Sequence, residues 1–359
     1  MPATTHYDYV IVGAGAAGCA VANRLSADPN TTVLLLEAGG KDWSPLVHMP
    51  VGFTKLSGPR YNWEFSTVSQ PQLNNREMWY PQGRTLGGST SINAMIYIRG
   101  QREDYETWAV LGNKHWGYEE VLPFFRRAEA NERLNDRYHS SVGAVNVTEQ
   151  VQHNPLSKAF VRAAQELGVP FIADFNGAIQ EGVSWYDVTQ KKARRESTAT
   201  AYLKPIRSRK NLTVVTHALG RKIIVRNGRV AGLDMLINGK PEYVQVDREL
   251  ILSGGAINTP RLMLLSGIGP GDELGALGVP VMHDLDGTCR AFAQFADMRL
   301  RERGMAAIDV ADHIRVGLQH HVFIDQARTW NRWPASVNGA LDTMFARPRD
   351  HLLCLAAGF

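Results

Sequence analysis

The hexapeptide Gly13-Ala14-Gly15-Ala16-Ala17-Gly18 follows directly on an apolar run, Asp8-Tyr9-Val10-Ile11-Val12, and opens an alanine-rich stretch from Ala16 to Leu25. β-formers that stop at a glycine read as a strand, and the alanine-rich stretch reads as a helix. A second apolar run, Thr32-Val33-Leu34-Leu35-Leu36, is predicted to lie parallel to the first through a right-handed crossover. The pattern G-x-G-x-x-G has mechanical meaning at such a strand-to-helix turn. There Gly13 takes the tight turn, Gly15 lets a pyrophosphate approach the backbone, and Gly18 lets the helix pack close to the strand. The helix N-terminus turns unpaired amides and a partial positive charge toward the phosphates. Glu37 closes the second run 19 positions beyond Gly18, where a carboxylate can accept the ribose hydroxyls of an adenosine. A bound dinucleotide is therefore predicted. The turn alone does not separate FAD from NAD, because both carry the same ADP half.

Length and charge narrow the remaining classes. A chain of 359 residues suggests about two domains at roughly 150 residues each. Lys and Arg total 39 against 35 Asp and Glu, and the basic residues form no dense block, so nucleic acid is not the implied partner. Cys19, Cys289 and Cys354 lie far apart and form no C-x-x-C pair, which leaves no disulfide framework and no metal site of ordinary zinc spacing. A reducing compartment fits that usage. No run approaches the roughly 18 apolar residues of a membrane helix, and Met1 to Tyr9 lacks the basic flank and apolar core of a signal peptide. The expected location is cytoplasmic.

Two further glycine-rich stretches lie downstream. Gly83-Arg84-Thr85-Leu86-Gly87-Gly88-Ser89-Thr90-Ser91-Ile92-Asn93 precedes the apolar Ala94-Met95-Ile96-Tyr97-Ile98. It reads either as a surface loop entering a buried strand or as a nest whose consecutive amides, at Gly87, Gly88 and Ser89, point at one ligand. The third stretch runs from Gly255 to Gly269, with Thr259 predicted as an N-cap, Pro260 in the first helical turn and Gly267 ending the helix.

These three stretches, in this order and separation, resemble the glucose–methanol–choline (GMC) family of FAD-dependent oxidoreductases, which includes choline dehydrogenase. Intervening pieces share the likeness: Glu37-Ala38-Gly39, Trp79-Tyr80-Pro81-Gln82-Gly83, Trp116-Gly117-Tyr118, and Arg195-Glu196-Ser197-Thr198-Ala199 leading to Ala201-Tyr202-Leu203. It extends from about Tyr7 to about Asp286. The resemblance implies an α/β fold: a Rossmann-type FAD-binding domain with a second, sheet-containing substrate domain, here truncated. Residues 1–144 and 201–286 would form the FAD-binding domain, 145–200 a substrate-side segment, and 287–359 a divergent or incomplete tail. Gly13, Gly15, Gly18 and Glu37 would hold the ADP portion. Arg84, Thr85, Gly88, Ser89 and the run Asn93, Ala94, Met95, Ile96 would line the flavin half. Gly220 would meet the adenine through its backbone, at a position where the family has Val. Ile92 stands where some members carry the histidine that tethers the flavin, so FAD is expected to be held non-covalently.

Elsewhere the chain predicts a helix from Leu156 to Leu167, Trp185 and Tyr186 in the core rather than facing a substrate, and a solvated basic face at Lys191-Lys192 and Arg194-Arg195. Arg299 to Arg303 reads as a solvated helix, and the apolar end Leu355-Ala356-Ala357-Gly358-Phe359 as an interrupted core strand. The family's C-terminal histidine segment has no match. His313, His320, His321 and His351 stand in no motif, so no catalytic base is assigned. Truncation, or a shifted frame near Gly287, accounts for both features. The family's chemistry is oxidation of an alcohol to an aldehyde or ketone, with hydride passing to flavin N5. The implied partner is a small-molecule alcohol; no residue here specifies the electron acceptor or the oligomeric state. The alternatives are a catalytically inactive flavin-binding remnant and a hydroxynitrile lyase on the same scaffold.

Overall fold

The computed structural model describes residues 5–67 and 69–285, with the backbone of the short strands Met298–Arg299 and Leu353–Cys354. The four tail histidines, residues 300–303 of the stretch read as a helix, and the terminal run lie outside the described residues, whereas Arg299 is in a strand paired with Ser66 rather than in a helix.

The opening βαβ unit forms where the apolar pattern puts it. Strand β1 is His6–Val12, helix α1 is Ala16–Leu25, and strand β2 is Val33–Glu37, every residue of which is buried. β2 runs parallel to β1, pairing Tyr9 with Val33 and Val12 with Leu36. Helix α2, Pro155–Glu166, begins one residue before the prediction, because Pro155 occupies the first helical position and the Asn154 carboxamide accepts from the Leu156 amide at 2.9 Å.

Four later strands complete the sheet: β3 (Leu212–Thr216), β4 (Ala218–Arg226), β5 (Arg229–Ile237) and β6 (Lys240–Leu252). The spatial order is β3-β2-β1-β6-β5-β4, parallel across the first three pairings and antiparallel across the last two. Leu353–Cys354 pairs parallel with Ile251 and Leu252 of β6. Each antiparallel connection is an Asn-Gly pair, Asn227-Gly228 and Asn238-Gly239, with positive φ at both residues. That backbone twist matches the twist of the flanking strands.

Alternation along β1 and β2 divides the core. Val10, Leu34 and Leu36 face one cluster with Leu233, Leu250, Leu262 and Met263. Tyr9, Ile11, Val33 and Leu35 face the other, with Cys19, Ala22, Tyr202 and Ile206. Both faces of the parallel part are covered, as strands of continuous apolar sequence require.

Helix α3, Gly255–Leu265, corrects the sequence reading at its start. Its N-cap is Gly254, and Pro260 lies inside the helix rather than in its first turn. Gly255 takes φ +82°, which lets the chain enter the helix directly from β6; Gly267, at φ +77°, ends it as expected.

The stretch between β2 and β3 contributes no strand to the large sheet. It pairs locally, Glu129–Asn131 with Val145–Val147 and Ile96–Tyr97 with Asp187–Val188. Charge holds it together. The Glu129 carboxylate, fully buried, takes the His139 ring at 2.8 Å, the Asn131 carboxamide at 2.8 Å and the Arg99 guanidinium. The opposite ring nitrogen of His139 meets Asp174 at 2.9 Å. Burial disfavours the charged imidazolium, but the hydrogen bonds to Asp174 and Glu129 outweigh it and push the His139 pKa up to about 9.

Candidate cofactor site

Three turns meet at the carboxyl ends of β1, β2 and β6. The first is Gly13–Gly18. Gly13 sits at φ +102°, and a Cβ there would lie 2.5 Å from the Ser253 carbonyl oxygen. A Cβ on Gly18 would fall 1.9 Å from the Gly13 oxygen and 2.7 Å from Ser253 Oγ. Each glycine thus does what the motif requires: one makes the bend, and the other lets α1 close on it. Helix α1 has Gly15 at its N-cap, with no side-chain cap and no acidic residue in its first turn, so its leading amides have no protein partner of that kind. An anion is the natural complement of such an end.

The second turn is the 83–96 stretch. Gly87 and Gly88 adopt φ +86° and +54°, and a Cβ on Gly88 would lie 2.8 Å from the Gly15 Cα. The nest reading is corrected here, because the Gly87 amide donates to Ala14 O and the Gly88 amide to Thr85 O, each at 2.8 Å. Small residues are present so that two backbones can touch. Thr85, fully buried, donates to Gly40 O at 3.0 Å, and Ser89 Oγ accepts from the Gly83 amide at 3.1 Å. The Arg84 guanidinium lies over the Trp63 ring at 4.9 Å, with its buried Nε lacking any hydrogen-bond partner. Asn93 Oδ1 accepts from the Met95 amide at 3.1 Å and so supports Met95 in a left-handed conformation, φ +65°. Met95 is buried, whereas Ala94 and Ile96 are exposed.

The third turn, Ser253 to Gly255, joins both. Ser253 N donates to Val12 O at 2.9 Å and its hydroxyl to Gly13 O at 2.8 Å, while the Gly255 Cβ position is 3.9 Å from Gln82 Oε1. Ile257 is buried within α3. Gly220 lies on β4, its Cβ position 3.2 Å from Val12 Cγ1 and 3.5 Å from Leu262 Cδ2, so a valine would crowd the end of β1.

Glu37 stands between the first two turns. Its carboxylate is buried and takes the Ala14 amide at 3.1 Å and the Gly39 amide at 2.8 Å. Burial pushes its pKa up to about 7 against the lowering by those amides and by the Arg84 charge. Two amides leave further lone pairs for a hydroxyl donor.

Residues 7–285 match the family model for GMC oxidoreductase. The chain belongs to the GMC oxidoreductase family. Among its relatives is an alcohol dehydrogenase [acceptor] of Pseudomonas putida, 46% identical over 283 residues, covering 78% of this chain and 51% of that one. The mitochondrial choline dehydrogenase of Mus musculus is 43% identical over 291 residues, covering 78% and 48%. Among solved structures, pyridoxine 4-oxidase from Mesorbium loti superposes with a TM-score of 0.75 at 34% identity, over 78% of this chain and 56% of that chain. The chain thus spans about half the length of the curated relatives it matches.

Within this GMC chain two sequence readings fail. Arg195 is no solvated basic residue: it is 2% exposed and among the most deeply buried large side chains. It is followed by Thr198, whose amide and hydroxyl each meet Thr90 Oγ1 at 3.0 Å and lock the second turn to the π-helical Ala199–Leu203. The Arg-Glu-Ser-Thr-Ala stretch was the available signal for this contact, but no local periodicity assigns it a role. Trp185 and Tyr186 are not core. Trp185 is half-buried, stacks on His153 at 4.0 Å and lines a cavity of about 410 Å³ with Phe160 and Tyr186, and Tyr186 is 38% exposed.

Proposed function

We propose that this chain binds FAD non-covalently in the crevice between its first two glycine turns and serves the oxidation of a small-molecule alcohol at its CH-OH group. The observation that carries the reading is the backbone contact of Gly15 with Gly88 beside a bare helix end and a buried, hydroxyl-seeking carboxylate. The residues fit such a cofactor. An uncapped helix end accepts the pyrophosphate, and Glu37 accepts the ribose hydroxyls. The Cβ-free meeting of Gly15 and Gly88 leaves backbone open to a close ligand, and the Arg84 Nε is a buried donor without a hydrogen-bond partner. Arg84, Thr85, Gly88, Ser89, Asn93, Ala94, Met95 and Ile96 would line the flavin half, and the Gly220 backbone the adenine edge.

When bound, the flavin supplies the two-electron acceptor that no side chain provides. The chain's own contribution is orientation. Held turns fix the cofactor, and Ile96, 48% exposed on the run after Asn93, presents an apolar surface to a substrate carbon. Gly13 and Gly18 shape the turn that would meet the ADP portion, and Thr85 also ties the second turn to Gly40.

The division at 144/145, 200/201 and 286/287 belongs to the same proposal, supported by the large sheet taking its strands from residues 6–37 and 212–252, with Leu353–Cys354 added at β6. Among the described residues no helix is long and apolar enough to cross a membrane. A cytoplasmic setting is our reading of the cysteine spacing, and Cys19 is a buried free thiol.

The test is retention of flavin. The purified full chain, incubated with FAD and desalted, is expected to keep visible flavin absorbance; a colourless protein would overturn the proposal. Anaerobic addition of primary alcohols, choline included, should then bleach the flavin. Retained colour without bleaching identifies the flavin-binding remnant, and cyanohydrin cleavage without bleaching identifies the lyase.

A further inference from the structure

Arg195 is a buried cation with no counter-ion among the described residues. Among the described residues no carboxylate comes within ion-pair distance of its guanidinium. Its Nε donates to Val47 O at 2.8 Å, and its Nη1 donates to Thr90 O at 3.2 Å and Asn93 Oδ1 at 2.8 Å. Its Nη2 is buried with no partner. Desolvation alone depresses its pKa to about 10, which leaves it charged at neutral pH. Burying a lone charge is costly and is retained only where something compensates it.

What the fork grips is informative. Val47 belongs to the helix Pro45–His48, whereas Thr90 and Asn93 both belong to the second glycine turn, so the fork ties two separate segments together. Asn93 Oδ1 also carries the Met95 amide, so the guanidinium fixes the acceptor on which the left-handed Met95 depends. A lysine supplies the charge but not three directed donors.

We propose that Arg195 is the positioning residue of the flavin-facing turn, holding Thr90 and Asn93 in register and giving that wall a fixed positive charge that favours an electron-rich ring over a neutral surface. This inference rests on the FAD reading above. Its electrostatic half makes a prediction that packing alone does not. Asn93→Asp is nearly isosteric, keeps both accepted hydrogen bonds and places a carboxylate against the lone cation. The apo chain should melt higher in this variant, while the bound flavin loses the benefit of the charge.

The experiment uses the full chain loaded with FAD, reading the FAD dissociation constant by flavin fluorescence, the flavin reduction potential, and thermal melting of the apo form. Arg195→Met should weaken FAD about tenfold, the scale of one charge-assisted hydrogen bond, and lower the potential. Arg195→Lys should lose affinity through the missing fork yet restore the potential. Asn93→Asp should raise the apo melting temperature and lower the potential. If Arg195→Met fails to fold, the Lys and Asp variants decide the matter through the potential alone. Potentials unmoved in every variant that folds would reduce Arg195 to a packing element and overturn the inference. A wild-type chain that retains no FAD would instead overturn the functional reading on which it rests.

Discussion

The cofactor crevice and the segment between β2 and β3 are built from opposite materials. Around Gly13, Gly15, Gly18 and Gly88 the structure is backbone against backbone, specified by what the residues lack. Around His139 it is side chain against side chain, with Arg99, Glu129 and Asp174 joined in one charged, mostly buried network. The first kind of site has no room for an added atom at Gly13, Gly18 or Gly88. The second tolerates atoms but not a change of charge, so steric substitutions and pH should separate the two regions.

The steric side should give the larger effect. Gly18→Val would place a Cβ 1.9 Å from the Gly13 oxygen, a clash with main chain that cannot rotate away. A loss above about 4 kcal/mol is expected, among the largest for single substitutions. Circular dichroism melting and FAD retention would read it, and a variant with near-native melting would break the contrast.

His139 gives the next effect, and its sign is set by linkage. Its folded pKa is about 9 against an ordinary 6.5, so its contribution is fully present below pH 6.5 and is lost as pH rises through 9. The amount is on the order of 3 kcal/mol. His139→Gln should therefore lower stability most at pH 6 and least above pH 9, measured by urea denaturation across that range. A parallel offset at every pH would show that the network is held by shape rather than charge.

Glu37 joins the two regions' logics, and its stability contribution has the same sign of pH dependence as that of His139. Its folded pKa, about 7 against 4.5, means that its protonated carboxyl group favours the folded chain below pH 4.5 and that this contribution is lost as pH rises through 7. Glu37→Gln should abolish this slope in the apo chain. It should also weaken FAD by roughly tenfold, since the amide cannot accept from every donor the carboxylate serves. An unchanged FAD titration would detach Glu37 from the ribose.

The same contrast explains what could be read beforehand. The βαβ turn was legible because its parts are contiguous: a strand, three glycines at fixed offsets and a helix. The hairpin turns at Asn227-Gly228 and Asn238-Gly239 carry an equally local signal, although the sequence reading above does not use it. By contrast, nothing near Arg195 shows that it descends into the protein to meet Val47 and Asn93, because those partners are 148 and 102 positions away. The same holds for His139, whose partner Asp174 lies 35 residues further on. The start of α3 was misread for another reason. Pro260 is a strong marker of first turns, yet here it follows five helical residues that Gly255 had already launched.

Gly15 and Gly88 touch without any side chain between them. A wall made that way has no rotamers to reset, so it works as a rigid mould and cannot remodel itself for a different occupant. Diversity of chemistry on such a frame must then be written in the softer parts of the polypeptide, while the mould stays the same.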